Sequence, residues 1–163
     1  MIRTTLGAIV MALFLFGCTS TTLTTSFDPK QAAFINTQGS ASITGQAFLR
    51  RNDGIVVYAA GSEVTLIPKT PYSDERIAAI YGGGKISYFG ANFKNDAQEY
   101  YQYTRKTVAD GEGRFTFNDV AAGSYYVTTS VIWMVQYVQQ GGALMERVTV
   151  SNGQKASIIM SGR

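Results

Sequence analysis

The chain contains no histidine and a single cysteine, so most of the familiar catalytic equipment is missing. Neither a Ser-His-Asp triad nor a Cys-His pair can be assembled, zinc has no His and Cys ligand set, and haem and iron–sulfur clusters lack their ligands. Eleven Asp and Glu remain, but no two stand in a recognisable setting for acid–base work on a glycosidic bond. Gly82-Gly83-Gly84-Lys85 has the glycine content of a phosphate cradle. Ala79, however, stands where the first glycine of that loop belongs, and Ile86 where a hydroxyl must reach magnesium. The run reads as a flexible connection. Asp110, Glu112, Asn118 and Asp119 could offer oxygens to calcium, but the ion takes about six to eight of them, and these residues read as turn formers. Lys69, beside prolines at a strand end, is poorly placed for an internal Lys–Asn crosslink. The expectation is a protein without catalysis, metal or cofactor.

One group of side chains is unusual enough to suggest contact with something else. Tyr72, Tyr81, Tyr88, Phe89, Phe93, Tyr100, Tyr101 and Tyr103 crowd into a stretch with few aliphatic residues. They could cover a sheet edge, since tyrosine buries a large area while its hydroxyl reaches water. They could also form a ligand or partner surface, because Tyr, Gly and Asn on loops favour recognition. The segment from Tyr72 to Tyr103 is therefore expected to lie over the domain and to meet any partner first.

The single cysteine has its own chemistry. Arg3 opens a short positive region, and Leu6 to Phe16 is an apolar run of about eleven residues, too short to span a bilayer. It ends at Leu15-Phe16-Gly17-Cys18, which resembles the lipobox of bacterial lipoproteins, apart from Phe16 where a small residue is usual. The resemblance implies a signal peptide over residues 1–17 and a diacylglyceryl thioether with N-acylation (a palmitate-type anchor) on Cys18; several chains make such anchoring stable. Thr19, in place of the Asp associated with inner-membrane retention, implies the outer membrane of a diderm cell envelope. Residues 18–40, rich in Ser and Thr, read as a flexible tether, and residues 41–163 as one domain.

Lys and Arg number 14 against 11 acids, a formal +3, and the basic residues are scattered except at Arg50-Arg51 and Arg105-Lys106. No stripe or motif marks a nucleic-acid surface, so nucleic acid is not expected as a partner.

From Ala41 on, the pattern is one of short strands. Ile43, Ala47 and Leu49 alternate with polar neighbours, as do Val64 with Leu66 and Phe115 with Phe117. The longest pattern runs from Tyr125 to Val138, with Tyr125, Val127, Val131, Trp133, Val135 and Tyr137 on one face, which predicts a buried Trp133. Gly141-Gly142 is expected to turn the chain, and Asn152-Gly153 to form a hairpin into a last strand with Ala156, Ile158 and Met160. One helix is predicted, capped by Ser73, striped by Ile77, Ile80 and Tyr81, and ended by Gly82. Seven or so antiparallel strands at this spacing predict an all-β sandwich with one short helix.

The stretch Asp110-Gly-Glu-Gly113-Arg-Phe115-Thr-Phe117, continuing to Val120-Ala-Ala-Gly123-Ser-Tyr125-Tyr-Val127, resembles the carboxypeptidase regulatory-like family, as do Ile43-Thr-Gly45-Gln-Ala47 and Gly61-Ser-Glu-Val64-Thr-Leu66. That resemblance implies a transthyretin-like sandwich over about Ala41 to Ser161, with Thr70 to Gln102 as an insertion. It implies fold more than function. The functional expectation is a lipid-anchored, non-catalytic envelope module that contacts a protein or glycan or supports an assembly. A subunit of a secretion or conjugation apparatus is the alternative, and an unrecognised hydrolase a third reading.

Overall fold

The computed structural model describes residues 20–163, so Cys18 and the expected signal peptide lie outside the described residues. The described chain runs through a helical turn α1 (Pro29–Ala32), then β1 (Ala41–Arg50), β2 (Val56–Tyr58), β3 (Glu63–Pro68) and helix α2 (Pro71–Tyr81). It continues through β4 (Ile86–Ser87), β5 (Arg105–Val108), β6 (Arg114–Val120), β7 (Gly123–Val135), β8 (Val138–Val150) and β9 (Lys155–Met160). One sheet is centred on β1, with β2, β6 and β9 along it, and the other has the order β4-β8-β7-β3-β5. The all-β sandwich is thus present, with more strands than the seven or so expected.

Period-two alternation places the core. Ala41, Ile43, Ala47 and Leu49 of β1, Phe115 and Phe117 of β6, Val64 and Leu66 of β3, and Tyr125, Val127 and Val131 of β7 meet between the sheets. Tyr125 is fully buried, and its hydroxyl donates to the Ala121 carbonyl at 2.8 Å. A second core lies outside the five-stranded sheet, where Ile67 and Tyr126 meet Tyr72, Ile77 and Tyr81 of α2 together with Leu23 and Tyr100. The first half of β7 is therefore buried on both faces, which is why its sequence is apolar there without strict alternation.

Several local expectations change. Thr70, not Ser73, is the N-cap of α2. The Thr70 Oγ1 accepts from the Ser73 amide at 3.2 Å while the Ser73 Oγ accepts from the Thr70 amide at 2.8 Å, a reciprocal box. Gly82, in the left-handed region at φ 58°, ends the helix as expected.

Asn152-Gly153 does not make a β8–β9 hairpin. The chain crosses to the other sheet, and β9 pairs with β1 in parallel, Ser42 opposite Lys155 through Ala47 opposite Met160. The Gly153 amide donates to Ser40 Oγ at 2.9 Å, tying the corner to the start of β1.

The turn between β7 and β8 is Gln136-Tyr137, both with positive φ (44° and 69°), joining the facing pair Val135 and Val138. Gly141, expected in that turn, sits within β8, where an added Cβ would lie 1.9 Å from the Val131 carbonyl oxygen and 3.0 Å from the Trp133 ring. Glycine here lets two backbones and an indole approach closely.

Residues 20–40, expected as a free tether, pack on the domain. Leu23 and Ile35 are buried, Thr21 bridges to Phe93, and the Thr24 and Thr25 amides donate to the two carboxylate oxygens of Glu75 at 2.7 and 2.8 Å. Asp28 and Pro29 start α1 with a side-chain cap and a proline suited to the first turn. The apolar anchors Leu23, Phe27, Phe34 and Ile35 among the Ser and Thr outweigh the flexibility their neighbours suggest.

Candidate functional site

The eight aromatic candidates divide in two. Tyr72, Tyr81 and Tyr100 are buried, Phe93 and Tyr103 are half-buried, and Tyr101 keeps an exposed edge. Tyr72, Phe93, Tyr100 and Tyr101 surround Arg76, whose guanidinium carbon lies 4.4 Å from the Phe93 ring centre and 4.7 Å from that of Tyr100. The Arg76 Nη1 pairs with Asp96, and its Nη2 donates to the Tyr101 hydroxyl at 3.0 Å. The Tyr101 hydroxyl donates in turn to Asp96 Oδ2 at 2.6 Å, and that of Tyr72 to Asp96 Oδ1 at 3.1 Å. Burial pushes the Tyr81 phenol up to about 12 and the Tyr100 phenol still higher, so both stay neutral. A cavity of about 210 Å³ beside this cage is edged by Glu63 and Lys106, which pair with each other at 2.9 Å. The Arg76 guanidinium, the Asp96 carboxylate and the Tyr72 and Tyr101 hydroxyls thus bond to one another, and the cage fastens the segment to α2.

Tyr88 and Phe89 are different: 66% and 99% of their surface is exposed. They follow the two-residue strand β4, which pairs with Ala143 and Leu144 of β8. That pairing needs Gly142, where a Cβ would come within 2.7 Å of the Ser87 carbonyl oxygen. The two rings thereby stand at the open end of the sandwich, beside the end of β1 and the distal part of the β7–β8 hairpin.

A continuous cleft runs across that end. Its widest part, about 530 Å³, lies between Arg50 to Asn52 on one bank and Tyr88, Phe89, Trp133 and Gln140 on the other. A cavity of about 460 Å³ shares its Leu49, Arg50, Ile86 and Tyr88 and continues to Phe48 and Arg163. A third, of about 360 Å³, shares its Arg51, Asn52, Trp133 and Gln140 and continues to Asp53 and Val135.

The Arg51–Asn52–Asp53 bank is fixed by its own loop. The Arg51 Nη2 donates to Asp53 Oδ2 at 2.6 Å, the Ile55 amide to Asp53 Oδ1 at 3.2 Å, and the Arg51 amide to the Ile55 carbonyl at 2.8 Å. Trp133 is half-buried, one side of its indole against the main core and Gly141 close to the ring. Its expected full burial fails because the sheet narrows beyond Thr128: β3 pairs with β7 only from Tyr125 to Thr128. Past that point nothing but β8 flanks it, and Ile132, Met134 and Val135 are exposed.

Chemically, the cleft offers aromatic faces next to planar donors and acceptors: the guanidiniums of Arg50 and Arg51, the amides of Asn52, Gln139 and Gln140, and the Asp53 carboxylate. Such a set suits a flat, hydroxyl-rich ligand whose ring faces are apolar and whose rim hydrogen-bonds. Of the sequence candidates only Tyr88 and Phe89 reach it. Trp133 was read as core, and Arg50 to Asp53 and Gln139-Gln140 were missed. Their signal is a polar cluster at strand ends opposite the only tryptophan, which becomes visible once the hairpin register is known.

Asp110 Oδ1 accepts the Glu112 and Arg114 amides at 2.9 and 2.8 Å, and Glu112 pairs with Arg114, so these residues form a turn as expected. No cluster of metal-ligating side chains occurs among the described residues, nor is any described helix long and apolar enough to cross a membrane.

The family model of polysaccharide lyase family 4, domain II, matches residues 73–158. That span includes most of α2, the aromatic segment and all strands from β4 to β8, so most of the expected insertion from Thr70 to Gln102 falls inside it. Among solved structures, a carbohydrate-binding candidate from Pseudomonas aeruginosa is similar with a TM-score of 0.69 and 21% identity, covering 84% of this chain and 98% of its own. At that identity the likeness shows the fold. No curated protein sequence matches the chain.

Proposed function

The chain belongs to the polysaccharide lyase family 4, domain II, family, and from that premise we propose that it is a non-catalytic glycan-binding module whose site is the cleft between Arg50–Asp53 and Tyr88–Trp133. One observation carries the reading: exposed aromatic rings and a half-buried indole face a fixed row of guanidinium, amide and carboxylate groups along one continuous cleft. The description of the Pseudomonas aeruginosa protein as a carbohydrate binder supports it. A sugar ring would lay its C–H face on Tyr88 or Trp133 while its hydroxyls met Arg50, Asn52 and Gln140, the arrangement that lets modest single contacts add along a chain.

Affinity electrophoresis through gels containing soluble polysaccharides of differing backbone tests this. Retardation by at least one, lost in Trp133→Ala and Tyr88→Ala while Tyr137→Ala keeps it, is expected. Mobility unchanged in every gel, or retardation indifferent to both cleft variants, would defeat the reading.

The anchor belongs to the same proposal. Cleavage before Cys18 and lipidation of that residue would hold the module on an envelope membrane, the outer one in a diderm cell, and the lipobox-like Leu15 to Cys18 supports it. A fatty-acid analogue should label the wild type and not Cys18→Ser. The finer resemblance, to the carboxypeptidase regulatory-like family, rests on the Asp110 to Val127 motif and concerns fold rather than ligand.

A further inference from the structure

The outer half of the β7–β8 hairpin is an uncharged two-stranded ribbon with exposed apolar side chains on both faces, Gln139 on one face, Gln140 on the other and Gln136 beside Tyr137 in the turn. Ile132 and Met134 point to one side, Val135 and Val138 to the other, and all four are exposed; Tyr137 at the turn is 98% exposed. Between Asp119 and Glu146 the sequence has no charged residue. Arginines gather beside the ribbon's base: Arg50, Arg51 and Arg163 line the cleft there, and its one acid, Asp53, is already paired with Arg51.

We infer that this hairpin dips into the interface of an anionic lipid membrane, with the arginines on its headgroups. Exposed apolar side chains on both faces and no charge along the ribbon suit an interface that surrounds it. A cationic collar with Trp133 near the polar boundary completes the charge match to acidic headgroups. The path of the chain agrees. The Thr21 amide donates to the Asn92 carbonyl at 2.8 Å, which holds Thr21 to the segment that follows Tyr88 and Phe89. The exposed tip of the ribbon lies outside the glycan cleft, but Arg50, Arg51 and Trp133 belong to both, so headgroups and a polysaccharide would compete for that bank.

Trp133 is the only tryptophan, so its emission reports directly. The full chain is reconstituted into phosphatidylglycerol–phosphatidylcholine vesicles with and without acyl-brominated lipid. Quenching of about twofold by bromines near the headgroup, and less by deep ones, is expected for an indole at the interface. Moving the reporter to the tip, Trp133→Phe with Tyr137→Trp, should reverse that depth preference. Met134→Asp with Val138→Asp, at exposed positions outside the cleft, should abolish quenching while the circular dichroism and polysaccharide retardation persist. Replacing phosphatidylglycerol by phosphatidylcholine should weaken it. Emission indifferent to brominated lipid at both reporter positions, or equal quenching in both lipid compositions, overturns the inference. So does crosslinking of Tyr137→Cys chains into dimers without quenching, which would assign the ribbon to a second copy. Loss of glycan retardation alone leaves the quenching result intact, so the two readings fail separately.

Discussion

The molecule uses aromatic side chains in two ways only a few residues apart. Around Arg76, the rings of Tyr72, Phe93, Tyr100 and Tyr101 close on a cation, and the Tyr72 and Tyr101 hydroxyls bond to Asp96 and Arg76. At the sandwich end, Tyr88, Phe89 and Tyr137 project into solvent next to polar groups with partners only in part. The types are the same, and what separates them is neighbours. A helix and the 20–40 segment cover the first set, while a two-residue strand and a narrowing sheet expose the second. Exposed aromatic area contributes nothing to folding, so its presence at one end points to recognition.

The sharpest way to break this contrast is to remove a ring from the inner set. Tyr100→Ala should cost about 3 to 5 kcal/mol, since it leaves a cavity and strips a face from Arg76. A denaturant midpoint close to wild type would make the cage superficial. Arg76→Met comes next, at about 3 kcal/mol or more, because Asp96 would stay partly buried without its cation. Gly141→Ala sharpens the other side of the comparison. Its methyl meets the Val131 carbonyl, and about 1 to 3 kcal/mol of overpacking should accompany a shift in Trp133 emission. Wild-type emission with unchanged stability would show that the indole seat is loose.

Acid should loosen the covering segment before the sandwich. The Thr24 and Thr25 amides hold the Glu75 carboxyl at about 2, below its usual 4.5. A carboxyl lowered on folding stabilises above its unfolded value, and that contribution fades as the pH falls from 4.5 toward 2. The protection factors of the Thr24 and Thr25 amides, relative to the intrinsic exchange rate at each pH, should therefore fall over that window, and Glu75→Gln should make them low and nearly flat with pH. Protection in the wild type that ignores pH there would detach Glu75 from the strap. The smallest effect belongs to the outer rings: Phe89→Ala should leave stability within about 0.5 kcal/mol while weakening polysaccharide retardation. A larger loss of stability would move Phe89 into the packed set.

The sandwich was legible because alternation in β1, β3, β6 and β7 is a local signal and burial repeats it at every second residue. Helix α2 was legible for a similar reason, through its apolar spacing and Gly82. What escaped was set by distant partners. Gly141-Gly142 reads as a turn until Trp133 and Ser87 are known to press on it, and the Gln136-Tyr137 turn carries no glycine to announce it. Asn152-Gly153 does turn the chain, but its destination depends on Ser40 and the free edge of β1. The tether was misjudged by composition: four apolar residues dispersed among Ser and Thr suffice to dock a segment when a tyrosine-rich face awaits them. Of the eight aromatic candidates only Tyr88 and Phe89 line the cleft, since exposure within an aromatic cluster is decided by which strands end where.

The parallel pairing of β9 with β1 also bears on how the protein carries a mechanical load. Were the domain held through the proposed lipid on Cys18, a pull would enter at residue 20, and the strain would first meet the few bonds of Thr21, Leu23, Thr24 and Thr25. These can open one after another and act as a fuse. Beyond them the pull reaches β1, clamped by β6 on one edge and by β9 from Ser42 to Ala47 on the other. A force along that strand shears a whole row of hydrogen bonds at once, the arrangement in which a sheet resists most. Tension could thus lengthen the stalk by releasing its first residues while the cleft, at the far end of β1, keeps its shape.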